Sequence, residues 1–159
     1  TETRPEGINE QSIKLLKKLK VDGIGMGVEA ASEDFRQTSL KRFANQSKII
    51  NAFKILKENK INRTAYNIIG MPSQDEQSIK DTIEFNKLID PDNISVHYYS
   101  PYYGTECHEN AVKEKLFDEY EYDADAFLRS KSKHPTLTPE KLKYYKENFT
   151  SLIRSWKIY

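Results

Sequence analysis

The stretch Ile24-Gly25-Met26-Gly27-Val28-Glu29 alternates a large apolar residue with glycine and ends in a carboxylate. A period of two marks a strand, and glycines inside it mark one crowded by neighbouring backbone. Upstream, residues 9–20 set Ile13, Leu16 and Leu19 at helical spacing behind an Asn9 cap, and Val21-Asp22-Gly23 closes that helix. Downstream, Ser32 followed by Glu33 and Asp34 starts another helix, with acidic residues at the positive end of its dipole. Residues 47–58 form a further helix with Ile49, Phe53 and Leu56 on one face. Residues 63–69 read as a second strand ending in Gly70-Met71-Pro72, residues 75–89 as a helix carrying Ile79, Ile83 and Asn86 on one side, and residues 94–99 as a third strand. The strand centres near Ile24, Thr64 and Ile94 stand 40 and 30 residues apart, with helix in each gap. That alternation predicts an α/β chain of parallel strands joined by right-handed crossovers.

The remaining composition narrows the function classes. The 159 residues carry 25 Lys plus Arg against 24 Asp plus Glu, a net charge of +1 that exerts no pull on nucleic acid or a membrane surface. No apolar stretch approaches the roughly 20 residues of a membrane span and no basic-then-apolar leader opens the chain, so a cytoplasmic protein is expected. One cysteine, Cys107, excludes an internal disulfide and any metal site built from several thiolates of this chain. His97, His108 and His134 have no ligand-like spacing, so no metal site is assigned, although His97 could face a ligand from its strand, as could the tyrosines at 98, 99, 102 and 103. After residue 106 the composition changes. An acidic, tyrosine-containing stretch at 118–125 and a basic one at 129–133 read as loops and short helices. Thr138-Pro139 then caps a last helix whose Leu142, Tyr145, Phe149, Leu152 and Trp156 form a core-facing stripe.

Parallel α/β sheets place function at the carboxyl ends of their strands, here residues 29–32, 70–75 and 100–106. Taken singly, these segments read as turns. In this order and spacing they resemble the second half of a radical SAM enzyme core, particularly the cobalamin-binding class. Gly27-Val28-Glu29-Ala30-Ala31-Ser32 resembles that family's Gly-Val-Glu-Ser-Gly-Asn/Ser segment after the fourth strand. Tyr66-Asn67-Ile68-Ile69-Gly70-Met71-Pro72 resembles its Asn-x-Ile-Gly-Leu-Pro segment at the fifth, and Ser100-Pro101-Tyr102-Tyr103-Gly104-Thr105-Glu106 its Tyr-Pro-Gly-Thr-Glu/Pro loop after the sixth. Thr3-Arg4-Pro5 and Thr82-Ile83-Glu84-Phe85-Asn86 also fit. Ala30-Ala31 stands where Ser-Gly is usual, and Ser73-Gln74 where Gly-Glu is usual.

The resemblance implies half of a (β/α) barrel over residues 1–106, from the end of strand three to strand six, followed by a helical extension over residues 107–159. It implies S-adenosylmethionine and a [4Fe-4S] cluster as cofactors, cobalamin as a further group in the parent, and production of a 5′-deoxyadenosyl radical. Among the implied cofactor-binding residues, Glu29 accepts hydrogen bonds from the ribose or the methionine part, with Ser32 beside it. Arg42, 13 residues on, grips the methionine carboxylate, with Lys41 as its alternative if the register slips. Ile68 packs on adenine, Asn67 or Tyr66 faces the interior beside it, Gly70 turns the chain, and Pro101, Gly104 and Thr105 flank the base. The family's Cys-x3-Cys-x2-Cys loop is absent, so the chain is expected to be a fragment, inactive alone, whose partner is a missing N-terminal half. The alternatives are a small non-redox α/β binding module and a metal-independent enzyme using Glu29 as a base. The interior face, taken to include Met26, Val28, Ile68 and Val96, is expected to be incompletely covered, so that the chain self-associates through its open edge or folds residues 113–159 across that face.

Overall fold

The computed structural model describes residues 1–117 and 133–155. Four parallel strands form one sheet in the order β1 (Glu2–Thr3), β2 (Gly23–Glu29), β3 (Asn62–Ile69) and β4 (Asn93–Tyr98). A short 3-10 turn, Pro5–Gly7, and α1 (Glu10–Lys18) join β1 to β2; α2 (Glu33–Thr38) and α3 (Gln46–Glu58) join β2 to β3; α4 (Glu76–Ile89) joins β3 to β4. After β4 come α5 (Glu106–Lys113) and α6 (Pro139–Arg154). This is the α/β architecture of parallel strands expected from the sequence, with its four strands in one sheet. The expected stripe residue Trp156, the stretch 118–125 and most of 129–133 lie outside the described residues.

The helices begin where their caps require. Asn9, Ser32, Asn45, Asp75, Thr105 and Thr138 each accept the amide three residues on, satisfying a donor that the first helical turn leaves free. Ser12 and Ser78 return the bond to the backbone of Asn9 and Asp75, closing reciprocal boxes.

One face of the sheet is packed by helices. Ile24, Met26 and Val28 of β2 and Ala65 of β3 meet Ile13 of α1, Ile49, Phe53 and Leu56 of α3, and Phe85 and Ile89 of α4. Ile69 and Tyr98 meet Ile79 and Ile83 of α4 and Leu142, Tyr145, Phe149 and Ile153 of α6, with Ile94 and Val96 packed against them. Thus α4 belongs to both clusters and ties α6 to the sheet. The last helix buries Ile153 at the end of its stripe, while Leu152 is half-buried.

This packing corrects the assignment of the interior face. Met26 and Val28 are wholly buried under the helices, and Val96 packs on the same side, so of the four residues expected to line the barrel only Ile68 does. The register pairs Gly25 with Thr64, Gly27 with Tyr66, Tyr66 with Ser95 and Ile68 with His97, and these residues share the other face. In a strand alternating glycine with bulky residues the bulky ones belong to the helix layer, because the glycine positions are filled from across the sheet. A Cβ at Gly25 would strike the Tyr66 ring, and one at Gly27 would strike the Glu29 carboxylate. Of the segment 113–159 expected to fold across the open face, α6 packs instead on α4 and β4 on the helix side, while residues 118–132 and 156–159 lie outside the described residues.

At the amino ends of the strands the chain is held by ions. Arg63 at the start of β3, 4% exposed, donates from Nε and Nη2 to Asp92 at 2.8 and 2.9 Å, and its backbone N–H donates to the same carboxylate at 2.8 Å. Arg154 at the end of α6 donates to the carbonyls of Pro91 and Asp92 at 2.7 and 3.0 Å.

Candidate cofactor site at the carboxyl ends of the strands

At its carboxyl end β2 departs from regular geometry. The register slips between Gly27 and Glu29, which pair with Tyr66 and Asn67, so Val28 is an extra residue in a bulge. Glu29 takes φ 63°, and the Ala30 N–H donates to the Val28 carbonyl at 2.8 Å, a tight turn centred on a non-glycine residue. Left-handed backbone at such a residue is costly and is kept where the surroundings enforce it. The result places the Glu29 carboxylate over Gly27, 7% exposed, with Arg42 Nη2 at 3.5 Å from Oε1. Burial pushes the Glu29 carboxyl above the usual carboxylate range, and the Arg42 charge acts against that shift.

β3 contributes Tyr66 and Ile68 to the same face. The Tyr66 hydroxyl reaches across Gly25 to donate to Glu2 Oε1 at 2.9 Å, and that bond is the main reason its pKa is raised. β4 contributes Ser95 and His97, whose Oγ and Nε2 are 2.8 Å apart, and burial, then the Lys146 charge, lowers the His97 pKa. The segment after β4 adds Tyr99, Ser100, Pro101 and Tyr102, and burial drives the Tyr99 hydroxyl up to about 12. Glu29, Tyr66, Ile68, His97, Tyr99 and Pro101 are among the residues that bound a mainly apolar cleft of about 560 Å³.

The structure gathers some of the sequence-derived residues and separates others. Glu29, Ile68, Pro101 and Thr105 line the cleft, and Arg42 joins it through Glu29. Tyr66 and Asn67 both border the cleft, Tyr66 half-buried and Asn67 with its side-chain amide bonded to Asn86 of α4. The Asn67 amide lies wholly buried under α4, where Asn86 Nδ2 donates to its Oδ1 at 2.7 Å and its own Nδ2 donates back at 3.3 Å. Ser32 is absent from the cleft, because its hydroxyl caps α2 and lines a separate groove of about 650 Å³ between α2 and α4. Gly70, at φ 81°, is covered by Leu142 of α6, and Gly104, at φ 75°, serves the turn before α5 with open space where a Cβ would stand. The Thr105 hydroxyl caps α5 and donates to the Tyr102 carbonyl at 2.6 Å. Lys41 lines a neighbouring cleft of about 230 Å³ whose wall at Tyr99 and Cys107 is shared. Among the described residues no three His, Cys, Asp or Glu side chains are grouped as metal ligands, and no helix is long and apolar enough to cross a membrane.

Sequence reasoning missed Arg36, which is 1% exposed and donates to the carbonyls of Ala30, Ala31 and Ala44. The available signal was its place four residues after the Ser32 cap, one turn into a short helix directly behind the strand end.

A family model described as the Radical SAM superfamily matches residues 1–85. No curated protein matches the chain. Among solved structures, archaeal Elp3 of Methanocaldococcus infernus, lacking its N-terminal residues 1–46, is similar over 73% of this chain and 28% of its own, with 24% identity and a TM-score of 0.64. Coproporphyrinogen III oxidase (HemN) of Escherichia coli, described as a Radical SAM enzyme, is similar over 95% of this chain and 31% of its own, with 18% identity and a TM-score of 0.64. At these identities the likeness speaks for the fold. The chain spans less than a third of the length of either.

Proposed function

The chain belongs to the radical SAM superfamily, and from that premise we propose that it supplies the S-adenosylmethionine-holding part of such an enzyme's barrel, with the [4Fe-4S] cluster held by residues outside these 159. The observation that carries this reading is the approach of Arg42 to Glu29, at 3.5 Å, beside an apolar cleft at the carboxyl ends of the strands. That donor set fits the cofactor. Glu29 offers only acceptors, suited to ribose hydroxyls or an ammonium. Arg42 is 39% exposed and pairs weakly at that distance, so its fork of N–H groups is available to a carboxylate. Ile68, Tyr66 and Pro101 offer apolar surface to a flat base. The same residues do not fit the cluster, for the sequence holds one cysteine and three thiolates are needed.

When bound, the sulfonium cofactor and a reduced cluster supply a 5′-deoxyadenosyl radical. What this chain does is hold and orient. Glu29 fixes the ribose or amino end, Arg42 neutralises the carboxylate, and the wall of Tyr66, Ile68 and Tyr99 keeps water from the base. A cation arriving at Glu29 also offsets the burial that raises its pKa, so cofactor and ionised carboxylate favour each other. Membership of an enzyme family speaks against the small non-redox module. The reading extends to a cytoplasmic protein of the cobalamin-binding class, inactive without the missing half of the barrel and open to pairing with that half or with a second copy at β1.

Calorimetry tests it. Arg42→Ala is expected to weaken S-adenosylmethionine binding by about 2 kcal/mol, the scale of a lost charge-assisted contact and roughly 30-fold in Kd. Lys41→Ala is expected to leave it unchanged. Unaltered affinity in Arg42→Ala would reject the carboxylate role.

A further inference from the structure

Glu29 ends β2 and Arg42 sits in the loop between α2 and α3, so nothing in either element fixes one against the other. Their common neighbour is Arg36. Its Nη1 donates to the carbonyls of Ala30 and Ala31 at 2.5 and 2.7 Å, holding the chain directly after Glu29. Its Nη2 donates to the Ala44 carbonyl at 3.2 Å, and its own backbone carbonyl accepts the Arg42 N–H at 2.8 Å, holding the loop on both sides of Phe43. The turn at Glu29 is thereby pinned at both ends of Ala30, whose N–H goes to Val28 and whose carbonyl goes to the guanidinium.

A wholly buried guanidinium aimed at backbone carbonyls is an expensive way to hold a loop, since it takes a charge out of water. Glu33 supplies the countercharge while its Oε1 accepts the Gln46 N–H at 2.6 Å, and Gln46 Nε2 adds a second donor to the Ala31 carbonyl at 3.0 Å. A planar fork reaches three carbonyls on two segments, which an ammonium on a flexible stem does not. We propose that Arg36 is a positioning residue that sets Arg42 against Glu29, joining the two charged arms of the cleft into one unit. This rests on the reading of that pair as the cofactor's polar contacts only for its purpose; the coupling itself is a property of the free chain.

The test reads the Glu29 carboxyl titration by carbon NMR of the glutamate-labelled chain, with the resonance assigned by its loss in Glu29→Gln. The ionisable side chains of Glu2, Tyr66 and His97 lie along the same face, so the Glu29 signal alone is followed. In the otherwise unaltered chain Arg42→Ala is expected to move the Glu29 midpoint upward, because the Arg42 charge holds it down. In an Arg36→Lys background the same change is expected to move it by less than half as much. A shift of half or more of the original size overturns the proposal. Should Arg36→Lys fail to fold, amide exchange of the unaltered chain decides: the Ala30 and Arg42 amides are expected to open together with one denaturant dependence, and independent opening overturns the proposal. Neither readout uses S-adenosylmethionine, so a failure here leaves the cofactor reading standing, and a failure to bind the cofactor leaves this one standing.

Discussion

Removing the Asp92 side chain is expected to destabilise the chain by about 2–3 kcal/mol at neutral pH. The carboxylate takes three bonds from Arg63, at 2.8, 2.9 and 2.8 Å, and Arg63 is 4% exposed. Asp92→Ala therefore strands a buried guanidinium and the backbone N–H of Arg63 in β3, a class of change that costs about 3–5 kcal/mol when both ions are buried. Here the Asp92 side chain is 40% exposed, so water can replace part of what is lost, which brings the figure down. At this chain length about 2–3 kcal/mol corresponds to a fall in Tm of roughly 5–10 °C. The pH dependence follows from the direction of the shift. The Arg63 bonds hold the Asp92 carboxyl below its ordinary 3.8, so its folded-state value is the depressed one. Stability from such a group is fully present above the unfolded value and is lost as pH falls through the folded value. Urea unfolding of both chains at pH 7 and near pH 3 should thus give a gap that shrinks in acid. A gap below about 0.5 kcal/mol at pH 7, or one equally large at both pH values, would refute the reasoning.

Ser73, at φ 59° after Gly70-Met71-Pro72, occupies a left-handed position, and Ser73→Gly is expected to raise stability by about 0.5–1 kcal/mol in the same assay, with no gain counting against the strain. Glu76 accepts from Lys141, Lys80 and Tyr145 at 2.9, 3.0 and 2.9 Å and is held down to about 2, so Glu76→Gln should speed amide exchange along α6, the difference fading as pH falls from 4.5 toward 2. Equal exchange in both chains would mean that α6 is held by its apolar stripe alone. Anaerobic reconstitution with iron and sulfide is expected to leave this chain without a stoichiometric cluster, Cys107 being its one thiol, and a stable [4Fe-4S] centre on it would contradict the proposed division of labour.

The order of elements was legible because each boundary carries its own local chemistry. Asn9, Ser32 and Thr138 are recognisable as caps from a few neighbouring residues, and all three accept the expected amide. The facing of β2 was not legible, since alternation says only that two faces differ. Which is inner depends on register with β3, where Tyr66 fills the space over Gly25. The same ambiguity left Tyr66 and Asn67 competing for one position, and a partner 19 residues away, Asn86, takes the amide. At the site, Glu29, Ile68, Pro101 and Thr105 were named from motifs and are brought together, whereas Arg36 acts through carbonyls that no motif reveals.

The departures from the family's pattern are informative for the same reason. Gln74 replaces a carboxylate, yet its Oε1 accepts the N–H groups of Gly70 and Met71 at 2.7 and 3.3 Å, so the turn needs an acceptor there and not a charge. Ala30 and Ala31 replace a serine and a glycine, yet their contribution here is backbone: Ala31 donates to Thr82 Oγ1 at 3.1 Å, and both carbonyls accept from Arg36. At Ala30 and Ala31 the bonds are made by main chain, and at Gln74 by a neutral side-chain acceptor. At Glu29, by contrast, a left-handed φ, a buried carboxylate and the approach of Arg42 coincide in one residue. The amino ends of the strands are held by paired ions such as Arg63 and Asp92, while the carboxyl ends keep a half-compensated one, which is the pair the proposed reading turns toward the cofactor.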